Sequence, residues 1–245
     1  MNNLHLPLDT TNGTYEYGAS VFAMYIAEKY GHRTIRSIWL KYRDEKTGDI
    51  EVMNTVLPNG VIDALSEMAS WLYFTGYRAN TGSYFEEGAE ISRMIFPARK
   101  ITAPSQVDSL ELRHYTFTHI DIAPDEGLAA GDSLVFSFDE PDGGVWLNRI
   151  IFYSSPDNAE IMILDDDYPA VRVPRPFEHA ILVITNGTQT LNRTYRYSYD
   201  YQLRAGQAVA DDPRPLSLAL DSPYPNPFNA AVTIPFTLDR ATDIR

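Results

Sequence analysis

The hydrophobic period of the chain changes once, from 3.6 residues to 2, and that switch limits the fold more than any other feature. Before residue 98, apolar residues recur at i, i+3, i+4 and i+7, the pattern of helices that bury one face. Val21, Phe22, Tyr25, Ile26 and Tyr30 form one such stripe over 17–30, and Gly31 suits the C′ position. Ile35, Ile38, Trp39 and Tyr42 form a second, with Thr34 as the expected N-cap. Lys46-Thr-Gly-Asp49 reads as a polar turn. From Val61 to Phe74 the chain is apolar nearly all round, through Ile62, Leu65, Met68, Ala69, Trp71 and Leu72. That predicts a helix buried on more than one side, with its end marked by Gly76.

After a polar stretch from Pro97 to Glu111, alternation takes over. Candidate strands cover 115–122, 133–138, 145–154, 159–164, 180–185 and 194–203, with turn clusters such as Glu140-Pro-Asp-Gly-Gly144 and Asn186-Gly187 between them. Short strands at this spacing predict an antiparallel β-sandwich. The expected class is α+β multidomain: a helical subdomain over 1–98, a linker over 99–111, a β-sandwich over 112–205, a linker over 206–221 and a truncated β segment over 222–245.

A hydrophobic share of 44% with 12% aromatics suits packed cores. The formal charge of −13 argues against nucleic acid and anionic membrane as partners. No apolar run is long enough to span a bilayer. The absence of cysteine excludes disulfides and thiolate metal sites.

Near the end, prolines at 223, 225 and 227 hold an extended segment, Asn226 and Asn229 suit turns, and Val232, Ile234 and Phe236 alternate as one strand face. Asp221-Ser-Pro-Tyr-Pro-Asn-Pro-Phe-Asn229, and within it Tyr224, Pro225, Asn226, Pro227, Phe228 and Asn229, resembles the opening of the C-terminal sorting domains of the type IX (Por-type) secretion system. The resemblance implies a secreted or cell-surface protein that engages the type IX machinery. A whole sorting module has several more strands, so the C-terminus is expected to be cut short. The opening Met1-Asn-Asn-Leu-His-Leu-Pro-Leu-Asp9 lacks the regions of a signal peptide, so the front is expected to be missing too.

Three further segments carry a second likeness. Tyr17-Gly-Ala-Ser-Val-Phe-Ala-Met-Tyr-Ile-Ala-Glu-Lys-Tyr-Gly31, Thr34-Ile-Arg-Ser-Ile-Trp39 and Phe74-Thr-Gly-Tyr-Arg-Ala-Asn-Thr-Gly-Ser-Tyr-Phe-Glu-Glu87 resemble the rear part of secreted, zincin-like bacterial metalloproteases of the MXAN type. That family works through an H-E-x-x-H helix, in which two histidines hold zinc and the glutamate activates its water. No two of His5, His32, His114, His119 and His179 are spaced i, i+4, so no catalytic residue or metal ligand carries over. The resemblance implies zinc-dependent peptide hydrolysis in a longer parent, and an inactive chain here with no cofactor of its own.

Other motifs have plainer readings. His114 and His119 point to opposite faces of a strand and read as surface or edge residues. Gly131-Asp-Ser-Leu134 spells an esterase signature, but it opens a strand and no Asp-x-x-His follows. Asp165, Asp166 and Asp167, and Asp139, Glu140 and Asp142, read as solvated turns more readily than cation sites. Arg78 with Glu86 and Glu87 reads as an ion-pair brace. Tyr195, Tyr197, Tyr199 and Tyr201 share one strand face. Packing against a facing sheet is one reading; an aromatic platform for peptide or polysaccharide is the other. The second would make the chain a secreted cell-surface binding protein with a carbohydrate- or protein-recognising sandwich. A degenerate family member kept as an envelope scaffold is a third reading.

Overall fold

The computed structural model describes residues 6–10, 15–46, 48–80, 82–91, 97, 99–104, 107–125, 127–164, 169–190, 193–205, 218–220 and 236–238. Four helices come first: α1 (Tyr15–Tyr30), α2 (His32–Glu45), α3 (Asp49–Val56) and α4 (Gly60–Tyr73). Among the described residues of the first compact unit, Met1–Ala208, nine strands follow: β1 (Arg99–Ile101), β2 (Asp108–Arg113), β3 (Thr116–Ile122), β4 (Ser133–Asp139), β5 (Trp146–Ser155), β6 (Asn158–Leu164), β7 (Ala170–Arg172), β8 (His179–Asn186) and β9 (Thr194–Arg204). The class is α+β, as the periodicity predicts.

The strands form a five-stranded sheet in the order β1-β3-β8-β5-β6 and a four-stranded sheet in the order β2-β9-β4-β7. Only β1 runs parallel to its neighbour β3; every other pairing in these two sheets is antiparallel. Ile120, Ile150, Phe152, Leu182 and Ile184 of the first sheet meet Leu134, Phe136, Tyr195, Tyr197 and Tyr201 of the second in one core. The opposite face of the first sheet carries Phe117, Ile151, Tyr153, Ile181 and Val183 into a second core with Tyr25, Leu65, Met68, Leu72 and Phe74 of the helical segment. Helices, five-stranded sheet and four-stranded sheet are thus three successive layers. The continuous apolar runs Ile150-Ile-Phe152 and Ala180-Ile-Leu-Val-Ile184 are what a sheet covered on both faces requires, since neither side of such a strand meets water.

Three expectations are corrected here. Segment 99–111, read as a linker, contains β1 and most of β2. The helical and β segments, read as separate units, share a core, and residues Met1–Ala208 make one compact unit. Residues Val209–Arg245 make a second, whose described part is an antiparallel pair, Leu218–Leu220 with Phe236–Leu238. One of those strands falls inside the segment read as the second linker. The sorting-motif residues Tyr224, Pro225, Asn226, Pro227, Phe228 and Asn229 lie outside the described residues.

Local chemistry fixes the helical layer. Gly31 takes φ 85° between α1 and α2, a backbone state open to glycine, so the chain turns without a longer loop. Thr34 is not the N-cap; α2 begins at His32, and the Thr34 hydroxyl donates back to the Tyr30 carbonyl at 2.9 Å. α4 lies against the sheet, and a Cβ on Gly187 would sit 2.2 Å from Ile62 Cδ1, so glycine there permits the close approach. Two polar ties cross this interface. Arg149 on β5 bonds Asp63 Oδ1 at 2.7 Å and Ser66 Oγ at 3.0 Å. His119 on β3 meets the Ala69 carbonyl at 2.8 Å, accepting no charge in its buried position.

Desolvation lowers the His119 pKa from 6.5 to about 4, with the nearby Arg78 guanidinium acting in the same direction and the Ala69 carbonyl opposing it. A depressed histidine stays neutral in the fold while the unfolded chain still takes up its proton below pH 6.5. Stability from this group is therefore whole above that pH and falls as pH drops towards 4. Between pH 7 and pH 4 the native protein should lose roughly 3 kcal/mol more stability than a His119→Gln variant. Urea unfolding of both proteins at stepped pH measures the difference; parallel curves would remove His119 as the cause.

Candidate interaction surface

The aromatic face foreseen on β9 exists, and it is inside. Tyr195, Tyr197, Tyr199 and Tyr201 are all buried against the first sheet. Trp146 packs on Tyr195 and Tyr197 at ring-centroid distances of 6.1 and 4.6 Å. The hydroxyl of Tyr197 accepts from Asn148 Nδ2 at 2.9 Å, and that of Tyr199 donates to Asp108 Oδ2 at 3.1 Å. Burial and the Asp108 carboxylate push the Tyr199 phenol well above its usual range. The reading of these rings as a platform for peptide or polysaccharide is thereby corrected: the facing sheet occupies the surface a ligand would need.

The histidines are also repositioned. His114 is in the turn between β2 and β3, not on a strand, and its Nε2 lies 3.0 Å from Asp9 Oδ1. Both His114 and His119 are buried, contrary to the surface reading. His179 Nδ1 on β8 lies 3.1 Å from Asp121 Oδ1 on β3, the disposition of a base and its orienter. The angle falls outside hydrogen-bond geometry, and among the described residues no hydroxyl bonds the buried His179 Nε2 to complete such a set. Arg78 is buried with its guanidinium 3.7 Å over the Tyr73 ring, so it packs on an aromatic face.

Ser133 opens β4 and is buried, and the Asp132 carboxylate accepts from the Ala129 N–H at 2.7 Å, so the Gly131-Asp-Ser-Leu134 signature is a closed turn. Asp139, Glu140 and Asp142 are exposed around their turn. Asp165, Asp166 and Asp167 lie outside the described residues. Among the described residues, no group of three histidine, aspartate or glutamate side chains converges on a metal-sized site.

The outer face of α2 is exposed. Its fourteen residues, His-Arg-Thr-Ile-Arg-Ser-Ile-Trp-Leu-Lys-Tyr-Arg-Asp-Glu, include Arg33, Arg36, Lys41 and Arg43 in a chain whose net charge is −13. Ile35 and Ile38 turn inwards and are half-buried against the helical core. At 3.6 residues per turn, His32, Arg36, Trp39 and Arg43 fall along one outward ridge. Trp39 is 68% exposed, and Tyr42 beside it 44%. Lys41 pairs with Glu45, and Arg43 with Asp44. Among the described residues Arg33 and Arg36 have no ion-pair partner, so the ridge is cationic around an indole that water surrounds.

No protein-family model and no curated protein matches this chain. Partial likenesses exist among solved structures. A mutant of PliG from Escherichia coli, a periplasmic lysozyme inhibitor of g-type lysozyme, covers 43% of this chain and 96% of its own at a TM-score of 0.33 and 14% identity. The Yersinia pseudotuberculosis-derived mitogen covers 44% and 94% at 0.31 and 13%. PliG of Aeromonas hydrophila covers 44% and 100% at 0.27 and 17%. Scores at this level mark a partial coincidence of chain path and do not assign a function.

The cationic ridge was readable in the sequence as four basic residues within eleven positions of an otherwise acidic chain, interleaved with Trp39 and Tyr42. The apolar stripe read from spacing included Trp39 and Tyr42 with Ile35 and Ile38, and that is corrected: only the two isoleucines pack on the core, while Trp39 and Tyr42 face water.

The tyrosine hydroxyls give a direct test of the packing. Those of Tyr195 and Tyr201 are buried without a hydrogen-bond partner. Tyr195→Phe and Tyr201→Phe should leave stability unchanged or raise it by up to about 1 kcal/mol, because an unsatisfied group is removed. Tyr197→Phe strips Asn148 of its acceptor and should cost about 1–2 kcal/mol. Chemical denaturation of the three variants checks the ordering.

Proposed function

We propose that this chain is an extracytoplasmic binding protein whose outer α2 ridge docks an acidic segment of another protein. The exposed Trp39 set among Arg36, Arg43 and His32 carries the reading. An indole left in water beside cations combines apolar contact area with attraction for carboxylates, the composition of an interface anchor. The net charge of −13 opposes approach to an extended anionic membrane or polyanion, whereas a short acidic segment meets the ridge alone. Export rests on the resemblance of Tyr224-Pro-Asn-Pro-Phe-Asn229 to type IX sorting sequences. The zincin likeness assigns no catalytic group to this chain, so the activity proposed is recognition. The described helices include none long and apolar enough to cross a membrane.

Trp39 is also the reporter, because Trp71 and Trp146 are buried. A synthetic peptide alternating glutamate and leucine should shift the tryptophan emission to the blue and protect it from acrylamide. Raising the salt from about 50 to 500 mM should weaken the effect, since an exposed ionic contact is screened over a Debye length of roughly 10 Å or less. Arg36→Glu combined with Arg43→Glu should abolish the shift while stability stays within about 0.5 kcal/mol of the native value. An unchanged titration in that double variant, or equal response to a lysine–leucine peptide, would dismiss the α2 ridge as the binding face. Vesicles of anionic lipid serve as the comparison and should give no blue shift.

A further inference from the structure

A sandwich of two open sheets has four edge strands, and each presents unpaired backbone N–H and C=O groups to any strand that arrives. Three of the four here carry a deterrent. β1 has three residues, and Arg99 and Lys100 are exposed on it. β7 also has three residues and ends in the exposed Arg172. β2 is longer, but it carries Asp108, Glu111 and Arg113, and its Asp108 is ion-paired to Arg99 of β1, which ties those two edges together.

β6 is neither short nor basic. It is seven residues long, Asn158-Ala-Glu-Ile-Met-Ile-Leu164, without proline, lysine or arginine, and it pairs only with β5. Among the described residues no backbone hydrogen bond reaches it from any other segment. Its single charge, Glu160, is already paired with Arg175 at 2.8 Å. Its two faces are both apolar: Ala159 and Ile161 pack on the core shared with the helices, while Met162 packs on the core between the sheets. Ile163, on the helix-side face, is 57% exposed.

That composition defines the occupant. An ordinary edge of a half-solvated sheet accepts a strand that alternates apolar and polar. An edge whose neighbours are buried on both faces extends both cores only when the arriving strand is apolar on both faces and uncharged along its length. Ile161-Met-Ile-Leu164 is such a strand. We infer that a second copy of this chain pairs its β6 antiparallel with the first across a two-fold axis, joining two five-stranded sheets into one. Antiparallel pairing of identical strands is self-complementary, so the contact closes at two copies and does not propagate. Ile163 of each copy then leaves water by covering the helix-side core of its mate. The net charge of −13 on each copy opposes association at long range, so salt strengthens this dimer, the reverse of its effect on the α2 contact.

The test is sedimentation velocity of the whole chain over about 1–200 μM protein at about 20 and 200 mM salt. The expected result is a monomer–dimer equilibrium that tightens with salt, with β6 amides gaining hydrogen-exchange protection as concentration rises. Ile163→Lys places a charge on the pairing edge at an exposed position, so it should leave the melting temperature near native and weaken dimerisation at least about tenfold. Ile163→Thr, which keeps β-branching, serves where the lysine variant fails to fold, and should weaken dimerisation to a lesser degree. A monomer at every concentration overturns the inference, and so does a dimer that Ile163→Lys leaves intact. Protection of β6 that appears only on adding the separate peptide of residues 158–164 to a monomer would assign the edge to a foreign strand and overturn it as well. None of these readouts depends on α2, so failure here leaves the acidic-partner reading standing.

Discussion

Burial of the five-stranded sheet on both faces is the constraint on which the rest of this structure depends. The central runs Ile150–Tyr153 of β5 and Ala180–Ile184 of β8 are buried on both faces, so they are apolar without a break, and a charged group beside them is costly unless it is paired. That requirement places the Arg149–Asp63–Ser66 tie and the His119–Ala69 contact where they are. An arginine under a helix would otherwise be an uncompensated charge in a medium that penalises it by several kcal/mol. The same requirement brings α4 close enough that residue 187 has no room for a side chain.

From that arrangement the division of surfaces follows. The inner sheet is covered by helices on one side and by the tyrosine-bearing sheet on the other, so neither of its faces is free to bind, while the outer face of the four-stranded sheet exposes Glu111, Arg196 and Gln202. The two surfaces proposed for recognition lie elsewhere, on the outer face of α2 and along the edge of β6. The two differ in chemistry. One offers cations around an indole; the other offers main-chain groups flanked by aliphatic side chains.

Much of this was legible in the sequence, and the limits have physical causes. The six strands read from alternation appear within a residue or two of their expected bounds, because their length and β-branched content leave little else for them to be. Three short strands, β1, β2 and β7, escaped, being brief and flanked by proline or charge, with pairing supplied by distant partners. Helix α3 was hidden because its eight residues, Asp49–Val56, hold only one buried side chain, Val52, too few for a period. The tyrosine alternation located a face correctly but not its direction, since an alternating strand reads the same against water or against another sheet. The relation of helices to strands was carried by the unbroken runs at 150–153 and 180–184, which indicate two covered faces where alternation would indicate one.

The shared helix-side core also governs how the molecule can be divided. Severing the chain near residue 98 would bare Phe117, Ile151, Tyr153, Ile181 and Val183 on one fragment, and Leu65, Met68, Leu72 and Phe74 on the other. Each half would then present a sticky slab with no lid. Proteolytic dissection or expression of the two halves apart should yield precipitate, and the smallest soluble piece retaining either surface must span both.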